Sequence, residues 1–248
     1  MSMKSNFLNL LDSELDKPVY RIFEPTRLFD IFDTGRMGLV KPQVWDDPFE
    51  NYILNATGFL PDGKSFVIGD RDHLYCQCWS HKKESDAMWR IYSPKPDHAG
   101  IKVSSTPRKL LAALYASSGN FRNISCFIGK VSYKVSKKLV EYFENNAQYI
   151  IIDSTGKLQA STLLLKRLQF SHEKEIRLIF HDVEKQAGNV FSFPVDATEL
   201  FDSITFDPNL PNQEFRIKKN QLVSYGFKKP IIRSKLYDKI GLRFNFTL

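Results

Sequence analysis

Two glutamates and an arginine alternate in the second half of the sequence, within residues 172–177. The residue types around them predict a β-strand over 168–181. Side chains at alternate strand positions share a face, so Glu173, Glu175 and Arg177 are expected to project together. Neighbouring like charges raise the proton affinity of one carboxylate, and a guanidinium offsets that effect, as in many catalytic clefts. A solvated strand face with an ion-pair ladder explains the same pattern.

A second candidate for chemistry is Arg21, which interrupts an apolar and aromatic stretch at residues 19–23. That stretch predicts a strand. An arginine in such a position often binds an anion or a buried carboxylate, because its guanidinium stays charged and donates in a fixed fork. A structural ion pair with Glu24 or with one of the strand glutamates is the other interpretation.

Three hydroxyl side chains, Ser104, Ser105 and Thr106, follow an apolar stretch that predicts a strand. Pro107 comes next and favours the first position of a helix. Thr106 is therefore expected to cap that helix, and the alternative is that the three hydroxyls line a ligand cleft.

The aromatic residues Trp89 and Tyr92 lie about one turn apart on a short helix predicted over residues 85–92. They either stack on a flat ligand ring or belong to the core. Residues 46–50 predict a turn held by side-chain bonds to the backbone. Neither a glycine-rich phosphate loop nor a histidine near a nucleophile motif is found, so P-loop, Rossmann and catalytic-triad chemistry are not expected.

The charge balance favours an anionic partner. The chain has 35 Lys and Arg against 28 Asp and Glu, which gives a formal net charge of +7. A positive field attracts polyanions, so nucleic acid is one expected partner. A basic surface that serves solubility alone explains the same excess, because no run of Lys and Arg is dense enough to form a tail.

The three cysteines, Cys76, Cys78 and Cys126, are expected to be reduced thiols in the interior. Together with five scattered histidines they lack the paired spacing of a structural zinc site, so we expect no metal. No stretch is apolar enough to cross a bilayer, and the N-terminus lacks the features of a signal peptide. We expect a cytoplasmic protein without membrane contact.

The order of predicted elements does not alternate as a doubly wound parallel sheet requires. Helices concentrate early, among them an amphipathic helix within residues 1–17 that would dock on the domain, and strands concentrate late. A helix over residues 157–168 is expected to lead into the long strand. We predict one α+β domain spanning residues 1–248, with a mixed, largely antiparallel sheet and flanking helices.

Several of these segments occur in the same order in a widespread uncharacterised bacterial family, which the chain resembles. The sequence motifs of this family are Tyr-Arg near the start, an Asn-Asp-Pro-Phe-Glu turn, a Cys-Phe-Ser strand, a Met-Trp-x-x-Tyr helix and a Glu-x-Glu-Trp-Arg strand. The matching segments are Tyr20-Arg21, residues 46–50, Cys78-Trp79-Ser80, residues 88–92 and residues 173–177. Asp46, Trp79 and Ile176 depart from the pattern, so the chain would be a divergent member.

This layout resembles the ADP-ribosyltransferase fold, in which an early arginine, a mid-chain hydroxyl or aromatic strand and a late Glu-x-Glu strand line one NAD cleft. The resemblance implies that Arg21 binds a phosphate or ribose of NAD. It implies that Glu175 binds the nicotinamide ribose and stabilises an oxocarbenium-like transition state. Glu173 would orient or deprotonate the acceptor, and Arg177 would be a supporting ion-pair partner.

The same resemblance assigns the remaining cofactor contacts. Trp89 or Tyr92 would stack on the nicotinamide ring. The hydroxyl element of the cleft would be either Ser80, which the family motif favours, or the group formed by Ser104, Ser105 and Thr106.

The leading hypothesis is an NAD-dependent ADP-ribosyltransferase, a bacterial toxin or phage-defence effector that modifies nucleic acid, with RNA favoured, and that has an antitoxin protein as a partner. The first alternative is a non-enzymatic basic module that binds nucleic acid or a partner, and it predicts salt-sensitive binding without NAD turnover. The second is a metal-dependent nuclease that would use Glu173, Glu175 and an aspartate such as Asp47 with Mg²⁺.

Overall fold

A mixed β-sheet organises the chain, which a computed structural model describes over residues 3–45, 57–59, 62–67, 73–93, 99–184, 188–239 and 241. Ten of the strands in these ranges form one sheet, and helices pack against both of its faces. The predicted α+β class, with a largely antiparallel sheet and flanking helices, is confirmed.

The strands follow one another along the chain as β1 (Phe7–Leu8), β2 (Val19–Phe23), β3 (Arg36–Val40), β4 (Thr57–Phe59), β5 (Ser65–Val67), β6 (Leu74–Ser80), β7 (Ile101–Ser105), β8 (Cys126–Lys130), β9 (Ser132–Lys134), β10 (Leu165–Arg167), β11 (Glu175–His181), β12 (Val190–Pro194), β13 (Ser203–Phe206) and β14 (Ile231–Arg233).

The α-helices are α1 (Pro25–Thr34), α2 (Asp86–Tyr92), α3 (Pro107–Ser117), α4 (Arg122–Ser125), α5 (Ser136–Ile152), α6 (Lys157–Thr162), α7 (Ala197–Leu200) and α8 (Asn212–Ser224). Short 3₁₀ helices span Met3–Asn6, Asp12–Glu14, Pro42–Val44, Gly119–Phe121 and Leu168–Glu173. The cap predicted for α3 is present, because the Thr106 hydroxyl accepts from the Lys109 amide.

The strand order of the large sheet is β1-β8-β11-β6-β2-β7-β13-β14, with β3 beside β6 and β12 beside β3. Strand β11 lies inside the sheet and pairs antiparallel with both β6 and β8. Along its other edge, β6 bridges β2 at Tyr20 and Ser80 and bridges β3 at Val40 and Cys76. On this side of β6, β2 and β3 thus pair with β6 at different points along its length. We call this arrangement the division of the sheet.

Side chains of β6 and β11 point alternately to the two faces of the sheet and contribute to a separate hydrophobic core on each face. Tyr75 and Trp79 pack into one core with side chains of α1 and α3, and Cys76 packs into the other with side chains of α5 and α6. Burying a large apolar side chain contributes roughly 1.5–3 kcal/mol, so cores on both faces hold the central strands in place.

The prediction of an N-terminal amphipathic helix within residues 1–17 is wrong. Phe7 and Leu8 instead form β1 and pair in parallel with β8. Phe7 packs against one core and Leu8 against the other, as alternate strand residues do. Asn6 donates its side-chain amide to the carbonyls of Asn123 and Cys126, and Asn9 donates to the Lys130 carbonyl. Pairing with an open strand supplies backbone bonds that a short isolated helix would not match.

The chain from 157 to 181 also differs from its prediction. Helix α6 ends at Thr162, and β10 then pairs in parallel with β9. The long strand predicted over 168–181 begins only at Glu175, after a 3₁₀ helix and a left-handed Lys174 with φ of 47°. Glu173 therefore lies outside the strand. Of the three residues predicted to share a strand face, only Glu175 and Arg177 belong to β11.

Two further sequence expectations concern the interior and membranes. Cys76 and Cys126 are buried free thiols, as predicted, whereas the free thiol of Cys78 is only partly buried. In the ranges that the structure describes, no helix combines the length and the apolar character that a bilayer crossing requires.

Gly156, at the start of α6, should be intolerant of a side chain. Its φ is +72°, and an added Cβ would lie 2.2 Å from the Ile124 carbonyl oxygen. We expect Gly156→Ala to lower the free energy of unfolding by about 1–3 kcal/mol through overpacking, beyond the cost of the left-handed backbone. Urea denaturation measures this change.

Gly226→Ala is the matched control, because Gly226 has φ of +87° and an added Cβ would meet no atom within 4 Å. The two variants share the backbone cost and differ in the steric clash. Equal destabilisation of the two would contradict the packing described around α6.

Candidate active site

Glu175, the first residue of β11, lies at the centre of a buried charge cluster. One carboxylate oxygen accepts from the Lys166 ammonium and the other accepts from Arg177 Nε at 2.7 Å. Its backbone N–H donates to the Tyr133 hydroxyl at 2.8 Å. Burial alone would raise the pKa of Glu175, but Arg177, with Lys166, holds that pKa well below its ordinary value. The carboxylate is therefore ionised.

Glu173 contacts the same ammonium from the end of the 3₁₀ helix. Lys166 Nζ lies 2.6 Å from Glu173 Oε2, so one cation bridges both carboxylates. Burial and the neighbouring Glu175 raise the pKa of Glu173 to about 7, against the opposing effect of Lys166. The two glutamates thus differ in protonation near neutral pH: Glu175 stays charged and Glu173 exchanges a proton.

Arg177 supports Glu175 from two residues further along β11. Its side chain is fully buried, and it donates to the Leu163 carbonyl at 2.6 Å as well as to Glu175. The guanidinium also lies 4.5 Å from the centre of the Trp45 ring. The predicted ion-pair role of Arg177 is confirmed, and its burial explains why the interpretation as a solvated strand face is wrong.

Arg21 occupies the division of the sheet beside β6. Its guanidinium donates to the carbonyl of Cys78, which lies between the points where β2 and β3 bridge β6. It lies 5.0 Å from the centre of the Phe23 ring. Neither Glu24 nor a strand glutamate forms the predicted ion pair, and no carboxylate of the described chain lies within salt-bridge distance of Arg21. Burial lowers its pKa, but a guanidinium remains charged.

A single cleft brings together side chains from β2, β6, α2 and the 3₁₀ helix. The register aligns Tyr20 with Ser80, and Ser80 with Glu175, so three adjacent strands contribute to one wall. Of the residues predicted from sequence, those that line this cleft are Arg21, Ser80, Tyr92, Glu173 and Glu175.

Ser80 and Tyr92 flank the two glutamates. The Ser80 hydroxyl donates to the Glu173 carbonyl at 2.5 Å and accepts from the Lys82 amide, which fixes the 3₁₀ helix against β6. Burial first, and then the charges of Glu173 and Glu175, raise the pKa of Tyr92 well above its ordinary value. Its partly exposed ring therefore forms a neutral aromatic wall.

The other predicted cofactor residues lie elsewhere. Trp89 is buried, and its indole N–H donates to Glu84 at 2.8 Å. Ser104 shares a 2.6 Å hydrogen bond with Ser203, and Ser105 donates to the Leu200 carbonyl. Thr106 caps α3. These hydroxyls satisfy structural bonds on and beyond β7, and none of the four residues belongs to the cleft lining.

Sequence reasoning missed Lys166 and Tyr133, which contact the glutamates, and Trp45, which contacts Arg177. Lys166 falls in a segment whose pattern predicts a helix, and only the pairing of β10 with β9 turns its side chain toward Glu175. A buried lysine almost always has a charged partner, but no local signal separates it from exposed lysines before the fold is known.

The predicted turn at residues 46–50, with Asp47 of the nuclease alternative, lies outside the described residues. Within the described ranges, no group of three His, Cys, Asp or Glu side chains is placed to hold a metal ion.

No protein-family profile and no curated protein matches this chain. Among solved structures, DarT of Thermus sp. 2.9 in complex with NAD+ aligns with a TM-score of 0.39 and 13% sequence identity, over 89% of this chain and 96% of DarT. DarT of the same organism in complex with ADP-ribosylated ssDNA aligns with a TM-score of 0.40 and 13% identity, over 89% of this chain and 95% of DarT. This likeness is distant.

Lys166→Met should destabilise the protein more at pH 8 than at pH 5. Removing one partner of a buried pair costs about 3–5 kcal/mol, and the variant leaves two carboxylates facing each other. The pKa of Glu173 is already raised to about 7, and loss of Lys166, which lowers it, raises it further, so Glu173 is protonated at pH 5 and the repulsion is relieved. Urea denaturation at both pH values measures the difference.

Lys137→Met is the control, since Lys137 is exposed and lies 4.0 Å from Glu141 on α5. We expect little change in that variant at either pH. A Lys166→Met variant that loses equal stability at pH 5 and pH 8 would refute the shared-cation arrangement.

Proposed function

We propose that the protein is an NAD-dependent ADP-ribosyltransferase. The observation that carries the proposal is the shared cleft: a partly buried guanidinium without a carboxylate partner in the described chain and an ionised carboxylate line the same cavity. A substrate that suits both groups has an anion at one end and develops positive charge at the other. NAD, with its pyrophosphate and its nicotinamide ribose, has this character.

Arg21 is the anion-binding group in this proposal. Its position at the division of the sheet is fixed by the Cys78 carbonyl, and its Nε has no hydrogen-bond partner among the described residues. A planar guanidinium binds a phosphate through paired hydrogen bonds. The proposal assigns Arg21 to an NAD phosphate or to the adjacent ribose.

Glu175 is the carboxylate that stabilises the transition state. When the bond between ribose C1′ and the nicotinamide nitrogen breaks, its electron pair leaves with nicotinamide and positive charge develops on the ribose. A carboxylate fixed by Lys166 and Arg177 stabilises that charge without having to reorient. Each oxygen already accepts one bond and retains a lone pair, which can accept a ribose hydroxyl.

Glu173 is the group that receives the acceptor proton. It lies beside Glu175 on the shared Lys166, and its pKa near 7 lets it take up and release a proton close to neutral pH. Tyr92 offers the aromatic wall on which the nicotinamide ring would stack. Ser80 holds the Glu173 backbone, so it serves the cleft by positioning that residue.

We further propose nucleic acid as the acceptor, with RNA favoured, and a role as a toxin or phage-defence effector with an antitoxin as protein partner. The net charge of +7 supports a polyanionic acceptor. The cellular role is what the resemblance of the sequence to ADP-ribosyltransferases implies.

Replacing Glu175 with Gln should abolish NAD cleavage, with a loss of about 10²-fold or more, because the neutral amide cannot stabilise the ribosyl cation. Nicotinamide release from NAD by the purified protein measures the rate. Far-UV circular dichroism and thermal unfolding establish whether the variant is folded.

Glu144→Gln provides the matched control, since Glu144 is exposed on α5 and distant in sequence from the cleft residues. It should cleave NAD at the wild-type rate. A folded Glu175→Gln variant that also cleaves NAD at the wild-type rate would sink the mechanism. Wild-type protein that binds nucleic acid in a salt-sensitive way but never consumes NAD would favour the non-enzymatic alternative.

The rate of NAD cleavage should rise as the pH increases through about 7. Glu173 accepts a proton only in its ionised form, and burial and Glu175 raise its pKa to about 7, so the active form is lost as the pH falls. In Glu173→Gln this rise should disappear and the remaining rate should be low. A rise with the same midpoint in that variant would assign the proton transfer to another group.

A further inference from the structure

A second groove opens on the far side of Glu175. It shares two residues, Tyr20 and Glu175, with the cleft described above. We call it the basic groove. Its lining includes Lys17, His81, Lys83, Lys130, Tyr133 and Lys174, together with the acidic Glu14, and these residues come from β8 and β9, from the ends of β6 and β11 and from the segment before β2. Glu175 is therefore a lining residue of both cavities.

The charge of the basic groove is not neutralised by the described part of the protein. Lys130 is paired with Glu14 at 2.8 Å. Lys17, Lys83 and Lys174 are exposed, and in the ranges that the structure describes none of them has an ion-pair partner. Exposed lysines concentrated along a groove attract a ligand with repeated negative charge.

Aromatic rings accompany these lysines. Tyr20 lies at the boundary between the cleft and the basic groove, and Tyr133 lines the groove where its hydroxyl accepts from the Glu175 amide. A positively charged groove with aromatic side chains is the combination that binds unpaired nucleic acid, because phosphates contact the lysines and bases stack on the rings. An acidic peptide would use the lysines but would not need the rings.

We propose that the basic groove binds single-stranded nucleic acid and delivers its acceptor atom to Glu175. This inference rests on the proposed ADP-ribosyltransferase function. Glu175 is only 5% exposed, so an acceptor has to enter a narrow space to reach the reacting ribose. A base within a duplex is held in its stack, whereas an unpaired base can enter such a space.

The transfer step balances without a further reactant. The bond between ribose C1′ and nicotinamide breaks and its electron pair stays on nicotinamide. An N–H or O–H group of the acceptor forms the new bond to C1′, and its proton passes to the Glu173 carboxylate. The products are nicotinamide and ADP-ribosylated nucleic acid.

The test uses the double variant Lys17→Gln, Lys83→Gln. Lys174 is left intact because its left-handed backbone connects the two glutamates. The full-length protein is given NAD labelled in its adenylate portion together with one of three probes of the same sequence: single-stranded RNA, single-stranded DNA or duplex DNA. Three quantities are measured: NAD cleavage without a probe, label transferred to the probe, and probe affinity as a function of salt.

We expect the ratio of label transfer to NAD cleavage with single-stranded probes to be about tenfold or more lower in the double variant than in the wild type. The slope of log affinity against log salt should become shallower by about 1.4, which is about 0.7 for each lost phosphate contact. Lys137→Gln, Lys138→Gln removes the same charge from the exposed surface of α5 and should leave all three quantities unchanged.

Other outcomes separate the two proposals. Absence of NAD cleavage by the wild type overturns the proposed function. Normal cleavage combined with wild-type transfer and salt slope in the Lys17, Lys83 variant overturns the basic groove alone. Equal labelling of duplex and single strands overturns the requirement for an unpaired acceptor, and labelling of protein with no nucleic-acid probe modified overturns the acceptor class.

Discussion

The placement of one ammonium between two carboxylates is the constraint on which the site depends. Buried charges are costly unless paired and hydrogen-bonded, so Lys166, Glu173, Glu175 and Arg177 have to be arranged together. This requirement explains two local features of the chain, strand β10 and the left-handed backbone of Lys174. Strand β10 brings in the lysine, and the left-handed Lys174 turns the chain so that Glu173 and Glu175 approach the same cation from two directions.

The division of the sheet along β6 supplies the other half of the site. A continuous sheet would satisfy the Cys78 carbonyl with a neighbouring strand and leave no room for a ligand. Because β2 and β3 bridge β6 at separate points, the Arg21 guanidinium takes that place. The bond to the Cys78 carbonyl thus holds Arg21 on the same cleft as Glu175.

The sequence was sufficient for the fold class and for part of the candidate site, and the failures have physical reasons. The motifs that contain Arg21, Ser80, Tyr92, Glu173 and Glu175 lie far apart in the sequence, and the pairing of β11 with β6 and of β6 with β2 brings these residues to one cleft. The prediction is wrong for Trp89 and Ser104: Trp89 is buried and donates to the nearby Glu84, and the hydrogen bond of Ser104 to Ser203 joins residues that are distant in sequence. The role of Lys166 and the turn at Lys174 depend on strand pairing and on a rare backbone conformation, neither of which has a local signal.

The N-terminal segment has a consequence for the behaviour of the protein in concentrated solution. Strand β8 would otherwise present an unpaired edge, and such an edge readily pairs with another chain. Phe7 and Leu8 cover that edge, while the side chains of Asn6 and Asn9 bind the carbonyls at its two ends, Cys126 and Lys130. Strand β1, with only two residues, becomes the edge of the sheet in place of the five-residue β8, and so short an edge strand offers another chain few groups with which to pair.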